Sequence, residues 1–389
     1  MIPDFARELE GLRQDGLLRT LRTLRSPQGP RVNIDGRELI NFSSNDYLGL
    51  AFDAESARGA RGAATAWGTG AGASRLVSGT LGPHGELERR LAAWVGTEAA
   101  LIFPSGFQAN LGVIQALVGA GDEVIVDRYA HASLVDGARL SGAKLRVVTH
   151  ADAERLEELL GKPCAGRRLV VTDSYFSMDG DRAPLVRLVE ACERAGAMLL
   201  VDEAHALGVY GEKGRGLLYE DGMKRGGQRL AGRVTAVVGT LSKSLGSQGG
   251  FAAGSQAFID YLVNKARTFI YTTGVSPLVC GAALTALDRI EASDDLRLRL
   301  WERVSYARKK LTGLGLDLGA SEGPIIPILI GDTRRTLDLA DRLREAGILG
   351  VAIRPPTVPK GTDRIRLTVT AKHTEADIDL LIEALRRSL

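Results

Sequence analysis

Cysteine is scarce. The chain holds three, Cys164, Cys192 and Cys280, far apart and without a C-x-x-C pair, which argues against a disulfide framework and a zinc site and fits a reducing compartment. Basic runs are missing too. The formal net charge is only +3, and no stretch of five or more basic residues alternates with aromatics, so the footprint of a nucleic-acid binder is lacking. No apolar run is long enough to span a bilayer. The opening Met1-Ile2-Pro3-Asp4-Phe5-Ala6-Arg7-Glu8-Leu9 mixes charges with apolar residues where a secretory signal would carry an unbroken apolar stretch. The expectation is a cytoplasmic protein with no metal site and with neither nucleic acid nor membrane as partner.

What is present describes a globular chain with more than one lobe. At 389 residues it exceeds the length at which a single hydrophobic core keeps growing. Leucines recur at helical spacing from Asp4 to Leu24, which predicts an amphipathic helix that ends before the Ser26-Pro27-Gln28-Gly29-Pro30 turn. A helix is expected over His84–Val95, with Leu87, Leu91 and Trp94 on one face, and a short apolar run follows at Ala99–Phe103. Four more apolar runs, Glu123–Val126, Leu169–Val171, Met198–Val201 and Val234–Val238, are mostly separated by helix-like stretches such as Leu185–Arg194. Such Val-rich runs suit strands of a parallel sheet covered on both faces.

After about Leu287 the order changes to a long polar helix near Leu296–Leu311, a strand at Ile325–Ile330, and a helix at Thr336–Glu345. Strands near Val351 and at Ile365–Thr370 follow, then a last helix capped by Thr374. The fold class read from this order is α/β: a large, mostly parallel sheet domain over 49–286 and a smaller C-terminal α+β domain over 287–389, with an N-terminal helical arm over 1–48.

Polar residues come directly after the apolar runs: Asp127, Asp173-Ser174, Asp202-Glu203-Ala204-His205, and Thr240-Leu241-Ser242-Lys243. In open α/β sheets ligands bind beyond the carboxyl ends of the strands, so these clusters should face one crevice. Lys243 stands among hydroxyls and glycines, in Thr240-Leu241-Ser242-Lys243-Ser244-Leu245-Gly246. By itself that is an ordinary solvated lysine. Asp202 changes the reading, because a buried carboxylate can keep a cofactor's pyridine nitrogen protonated while an activated lysine forms a Schiff base with its aldehyde. His205, three residues on, can reach the ring's phenolic oxygen.

Asp202-Glu203-Ala204-His205 also has the letters of a helicase box, but the phosphate loop such proteins require, G-x-x-x-x-G-K-[ST], is absent. Ser105-Gly106-Phe107-Gln108-Ala109-Asn110 follows a strand and opens a helix, a place where backbone N–H groups can hold a phosphate. Gly68-Thr69-Gly70-Ala71-Gly72 lacks the strand and helix that a nucleotide loop needs.

Taken in order, these blocks resemble the α-oxoamine synthases, a family of fold-type I enzymes that use pyridoxal 5'-phosphate (PLP). The likeness runs over essentially the whole chain. It is carried by Asn41 to Leu50, Ser105 to Asn110, His131-Ala132-Ser133, Ser177-Met178-Asp179-Gly180, Asp202 to His205, the Lys243 block, and Arg354-Pro355-Pro356-Thr357-Val358-Pro359. This last block with Ala352-Ile353 before it, followed by Arg364-Ile365-Arg366-Leu367-Thr368, is most similar to the branch that serves biotin biosynthesis.

The resemblance implies an acyltransferase that joins L-alanine to an acyl thioester, pimeloyl-CoA or a pimeloyl carrier protein, with loss of CO2. Its nearest alternative is a family member acting on glycine and acetyl-CoA, or one that accepts both pairs of substrates. Position by position it implies that Lys243 binds the cofactor, that Asp202 pairs with the ring nitrogen and that His131 stacks on the ring. Ser177 and His205 would lie near the phenolic oxygen, and Gly106, Phe107, Thr240 and Ser242 around the phosphate. Arg354 would take the substrate carboxylate, a task suited to a planar guanidinium, with Thr357, Asn45 and Arg19 as further substrate contacts. Tyr271-Thr272-Thr273 matches a segment that reaches the neighbouring subunit's phosphate site, which implies a homodimer. The chain departs from the family where Ala206 and Leu207 follow His205 in place of the usual Gly and Thr.

Overall fold

The computed structural model describes residues 3–224 and 230–389; Met1 and Ile2 of the opening segment, and residues 225–229 within the expected large domain, lie outside the described residues. Its strands in chain order are β1 (Arg31–Ile34), β2 (Arg37–Asn41), β3 (Ala99–Phe103), β4 (Glu123–Asp127), β5 (Lys144–Val148), β6 (Arg168–Asp173) and β7 (Met198–Asp202). They continue with β8 (Ala236–Thr240), β9 (Gly250–Gly254), β10 (Ile325–Leu329), β11 (Ile348–Leu349), β12 (Val351–Ile353) and β13 (Arg364–Thr368). Two compact units form. One joins the chain up to Asn45 with Met178–Gly180 and Arg299–Leu389; the other comprises Asp46–Ser177 and Asp181–Leu298.

The larger unit is built on one sheet of seven strands in the order β3-β9-β8-β7-β6-β4-β5. Neighbours from β8 through β5 run parallel, and β9 is antiparallel to both β8 and β3. This is the layered α/β arrangement expected from runs such as Val124-Ile125-Val126 and Leu199-Leu200-Val201, which are buried on both faces.

Two strands of this sheet escape the sequence pattern. Residues of β9, Gly250-Phe251-Ala252-Ala253-Gly254, are mostly small and not β-branched, yet all are buried. The other, β5, reads Lys144-Leu145-Arg146-Val147-Val148 and lies at the sheet's edge, where charges are tolerated because one side faces solvent. Because β9 pairs back onto β8 through Thr240 and Gly250, the segment holding Lys243 is a hairpin loop closed between two strands of the sheet.

That loop is internally bonded. Leu241 N donates to Gly249 O (3.0 Å), Ser247 N to Leu241 O (2.8 Å) and Gly246 N to Lys243 O (2.9 Å). Gly246 has φ +59°, and a Cβ there would lie 2.3 Å from the Leu50 carbonyl carbon, so conformation and space both demand glycine.

The smaller unit carries two three-stranded sheets, β1-β2-β11 and β10-β13-β12, with helices over Thr333–Glu345 and Glu375–Ser388. The last helix starts as predicted at Thr374, whose hydroxyl accepts from Asp377 N while the Asp377 carboxylate accepts from Thr374 N.

The expected Asp4–Leu24 helix is shorter than its leucine spacing suggests. It spans Phe5–Gln14 and stops at Gly16, whose φ of +68° reverses the chain. Leu24 lies beyond the helix, bridges Ile34 as a strand residue and packs with Val32, Ile34 and Leu39. Tertiary packing has taken over a residue that helical periodicity claimed.

The thiols are unequally placed. Cys192 and Cys280 are buried and Cys164 is exposed; burial pushes both buried thiols up to about 12.

Candidate active site

The geometry of the larger unit follows from strand register. Asp173 and Asp202 end adjacent parallel strands and face each other in register, with Val238 of β8 opposite Asp202 on its other side. Three of the four strand-end clusters are thereby brought together. Asp202 is 6% exposed; its Oδ1 accepts from Ala204 N at 2.8 Å and its Oδ2 from Asn110 Nδ2 at 2.7 Å. Both oxygens are oriented by the fold before any ligand arrives.

His131 caps the helix Ala132–Leu140 and donates its backbone N–H to Asp173 Oδ2 at 2.8 Å. Its side chain keeps solvent exposure, yet the protein packed around the ring lowers its pKa. Asp202 pulls the other way, and the Lys243 cation lowers it again. The same two charges act on Asp173. Burial first, and then Asp202, push that carboxyl well above the usual carboxylate range, with the His131 N–H and Lys243 opposing. His131, Asp173, Asp202 and Lys243 therefore form one electrostatic cluster.

His205 is 6% exposed, and its Nδ1 lies 2.6 Å from the hydroxyl of the fully buried Tyr47. Ser177 lies near a turn fixed by the Tyr175 to Arg182 bridge and is half-buried.

The expected phosphate residues meet at the opening of the helix Gly106–Leu117, whose N-cap Ser105 accepts from Gln108 N. The first N–H groups of that helix, on Gly106 and Phe107, have no partner within it. Beside them Thr240 Oγ1 donates to Gly249 O at 2.9 Å and therefore accepts from the Ser242 hydroxyl at 2.7 Å.

A Cβ on Gly250 would stand 2.4 Å from Gly106 N, so a glycine there is what lets the helix start approach the hairpin loop. Free N–H groups, hydroxyls and a lysine on one side, with a buried carboxylate and an imidazole on the other, fit a phosphorylated pyridine aldehyde such as PLP. Thr272 and Thr273 stand apart: Thr273 bridges Ser74 on an exposed segment, and neither shares a hydrogen bond with the cluster.

The smaller unit gathers the expected substrate residues. Arg19 donates to Thr357 Oγ1 at 3.3 Å, and Arg354 Nη2 donates to Leu18 O at 2.7 Å. Burial first, and then the Arg19 charge, lower the pKa of Arg354; Asp363 opposes them. Arg354 Nε is buried without a hydrogen-bond partner. Two guanidinium groups in mutual repulsion, one with an unsatisfied N–H, suit an incoming anion. Asn45 Oδ1 accepts from Arg366 Nη2 at 3.1 Å, which ties it to β13.

Four neighbours of these residues carried no assigned role in the sequence: Tyr47, Asn110, Ser133 and His150. Asn110 offered a faint signal as one of two amides, with Gln115, in the otherwise apolar stretch Ala109 to Leu117. His150 links Asp127 (3.0 Å) to Asp181 (2.7 Å), and Asp127 also accepts from Tyr129 N and Ala151 N. Asp127, the fourth strand-end residue, thus braces the segment leading to His131. Burial alone would lower the His150 pKa; the bonds to Asp127 and Asp181 outweigh it and raise it to about 10. Among the described residues no group of three or more His, Cys, Asp or Glu could hold a metal ion, and no helix is long and apolar enough to cross a membrane.

The sequence model of the family described as aminotransferase class I and II matches residues 37–385. The chain is similar to an 8-amino-7-oxononanoate synthase of Marinobacter nauticus, at 46% identity covering 99% of this chain and 96% of the relative. It is similar to one of Symbiobacterium thermophilum at 47% identity, covering 98% and 97%. Among solved structures, the K265A variant of a serine palmitoyltransferase of S. paucimobilis with a bound PLP–myriocin aldimine matches with a TM-score of 0.91 and 31% identity, covering 98% of this chain and 96% of that one.

Proposed function

The chain belongs to the aminotransferase class I and II family and, within it, to the α-oxoamine synthases of PLP fold type I; on that premise we propose that it condenses L-alanine with a pimeloyl thioester, of CoA or of a carrier protein. The products are 8-amino-7-oxononanoate, CO2 and the free thiol, a step of biotin biosynthesis. The observation that carries the reading is the cluster of Lys243, His131 and a doubly bonded Asp202 at the strand ends of one sheet.

PLP, bound by Lys243, supplies the electron sink for the pair left at the amino acid's Cα. Asp202 holds a proton on the ring nitrogen. The Lys243 amine would move the Cα proton. His131 covers one face of the ring, and His205 and Ser177 serve its phenolic oxygen. Gly106 and Phe107, through their N–H groups, would hold the phosphate; Thr240 and Ser242 would join them by turning to it the hydroxyl hydrogens that now go to Gly249 O and Thr240 Oγ1. Arg354 receives the alanine carboxylate, supported by Arg19, Asn45 and Thr357, and holds the bond to be broken in a fixed orientation. Thr272 and Thr273 complete the phosphate site of a second copy in a cytoplasmic homodimer.

The decisive measurement is the absorbance of the PLP-loaded protein as glycine, alanine and serine are added in turn, followed by CoA release from acyl thioesters of graded length. Alanine with a pimeloyl thioester is expected to turn over fastest; glycine with acetyl-CoA as the better pair would make the chain a glycine C-acetyltransferase. Lys243→Ala is expected to abolish both the visible absorbance and turnover, and a variant retaining both refutes the assignment.

A further inference from the structure

Asn110 and Ser133 are buried, at 1% and 0% exposure, and touch both ends of the cofactor cluster. Asn110 Nδ2 lies 2.7 Å from Asp202 Oδ2 and 2.9 Å from Ser133 Oγ. A carboxylate oxygen can only accept, so the amide must turn its NH2 toward Asp202, and its second hydrogen then goes to the serine oxygen. Ser133 Oγ thereby receives one hydrogen and has its own left to give. Its neighbour on the far side is His131 Nδ1, 2.7 Å away. The backbone N–H of Ser133 points to the same nitrogen at 3.3 Å. With two donors converging on it, Nδ1 is an acceptor, and the single ring proton of a neutral imidazole must sit on Nε2.

We propose that Asn110 and Ser133 are positioning residues that couple Asp202 to His131, orienting the carboxylate at one end and fixing the imidazole as its Nε2–H tautomer at the other. The role rests on the PLP reading of the site, but the network belongs to the chain itself. The lowered pKa of His131 agrees with a neutral ring. Asn110 Oδ1 is buried with no partner, which an amide kept mainly for its two N–H donors can tolerate. The Nε2–H edge, opposite the one tied to Ser133, is thereby offered as a hydrogen-bond donor.

The test is a long-range proton–nitrogen correlation spectrum of the imidazoles in the full-length protein, with PLP and after its removal. There are only five histidines, and His131→Asn identifies the signal. The expected wild-type pattern has a pyridine-like Nδ1 and a pyrrole-like Nε2 in both states. In Ser133→Ala both should move toward the averaged position of interconverting tautomers, while Ser133→Thr, which keeps the hydroxyl, should restore the pattern. Asn110→Leu should shift the His131 signals in the same sense and weaken PLP binding roughly tenfold, the worth of about one buried hydrogen bond.

A wild-type proton on Nδ1, or His131 signals unmoved in Ser133→Ala, overturns the proposal. The wild-type spectrum is decisive even where a variant fails to fold. A chain that keeps the Nε2–H pattern but takes up no PLP sinks the cofactor reading and leaves the network standing.

Discussion

The strand-end cluster of the larger unit and the arginine cluster of the smaller one are organised in opposite ways. In the first, the charged groups sit where parallel strands end in register; Asp202 accepts short bonds from Ala204 and Asn110, and His131 is held by bonds to Asp173 and Ser133. In the second, Arg19 and Arg354 lie on segments outside regular structure, and they repel one another across a buried N–H that nothing satisfies. On the roles proposed above, groups serving a resident cofactor are oriented in advance, whereas groups serving a substrate that comes and goes are left with hydrogen-bonding capacity in hand.

The strongest way to break this comparison is Asp202→Asn. If the carboxylate serves the cofactor, turnover should fall on the order of 10³-fold, about 4 kcal/mol of barrier, with PLP still bound; near-normal turnover would remove the strand-end cluster from the chemistry. Next is Arg354→Leu. It should raise the KM for alanine roughly 10- to 100-fold, the range of a lost charge-assisted bond, and leave the absorbance of the bound cofactor unchanged. A loss of that absorbance would merge the two clusters into one role.

Gly250→Ala sharpens the preorganised side. Its Cβ would meet backbone at Gly106, so denaturant unfolding should show about 1–3 kcal/mol of lost stability, with weaker PLP binding. The smallest and most pH-dependent effect belongs to His150→Gln. The folded pKa of His150 is raised from 6.5 to about 10, so its contribution is fully present below pH 6.5 and is lost as pH rises toward 10. The stability gap between wild type and His150→Gln, read from unfolding at several pH values, should therefore shrink over that interval; a gap constant with pH would show that the imidazolium is not what ties Asp127 to Asp181.

Much of this was legible in the sequence, for a definite reason. The apolar runs that become β4, β6, β7 and β8 are followed at once by the polar residues of the candidate site, so strand ends and candidate chemistry could be read from adjacent letters. The rest depends on distance in sequence. His150 finds Asp127 and Asp181 on other segments, Asn110 reaches the strand-end Asp202 from a helix, and Tyr47 meets His205 from far upstream. Such pairings leave no spacing to detect. Likewise β9 was invisible because Gly and Ala replace the β-branched residues by which buried strands are recognised, and the helix from Phe5 ends early because Gly16 reverses the chain. The family resemblance named roles for residues such as Arg354 that composition and periodicity leave mute.

The uneven burial of the thiols has a practical corollary. A maleimide dye added to the native protein meets one accessible address, Cys164, since Cys192 and Cys280 are enclosed and resist deprotonation. The wild-type chain can be tagged at a single defined point without engineering, and uptake of a second or third label becomes a direct gauge of unfolding.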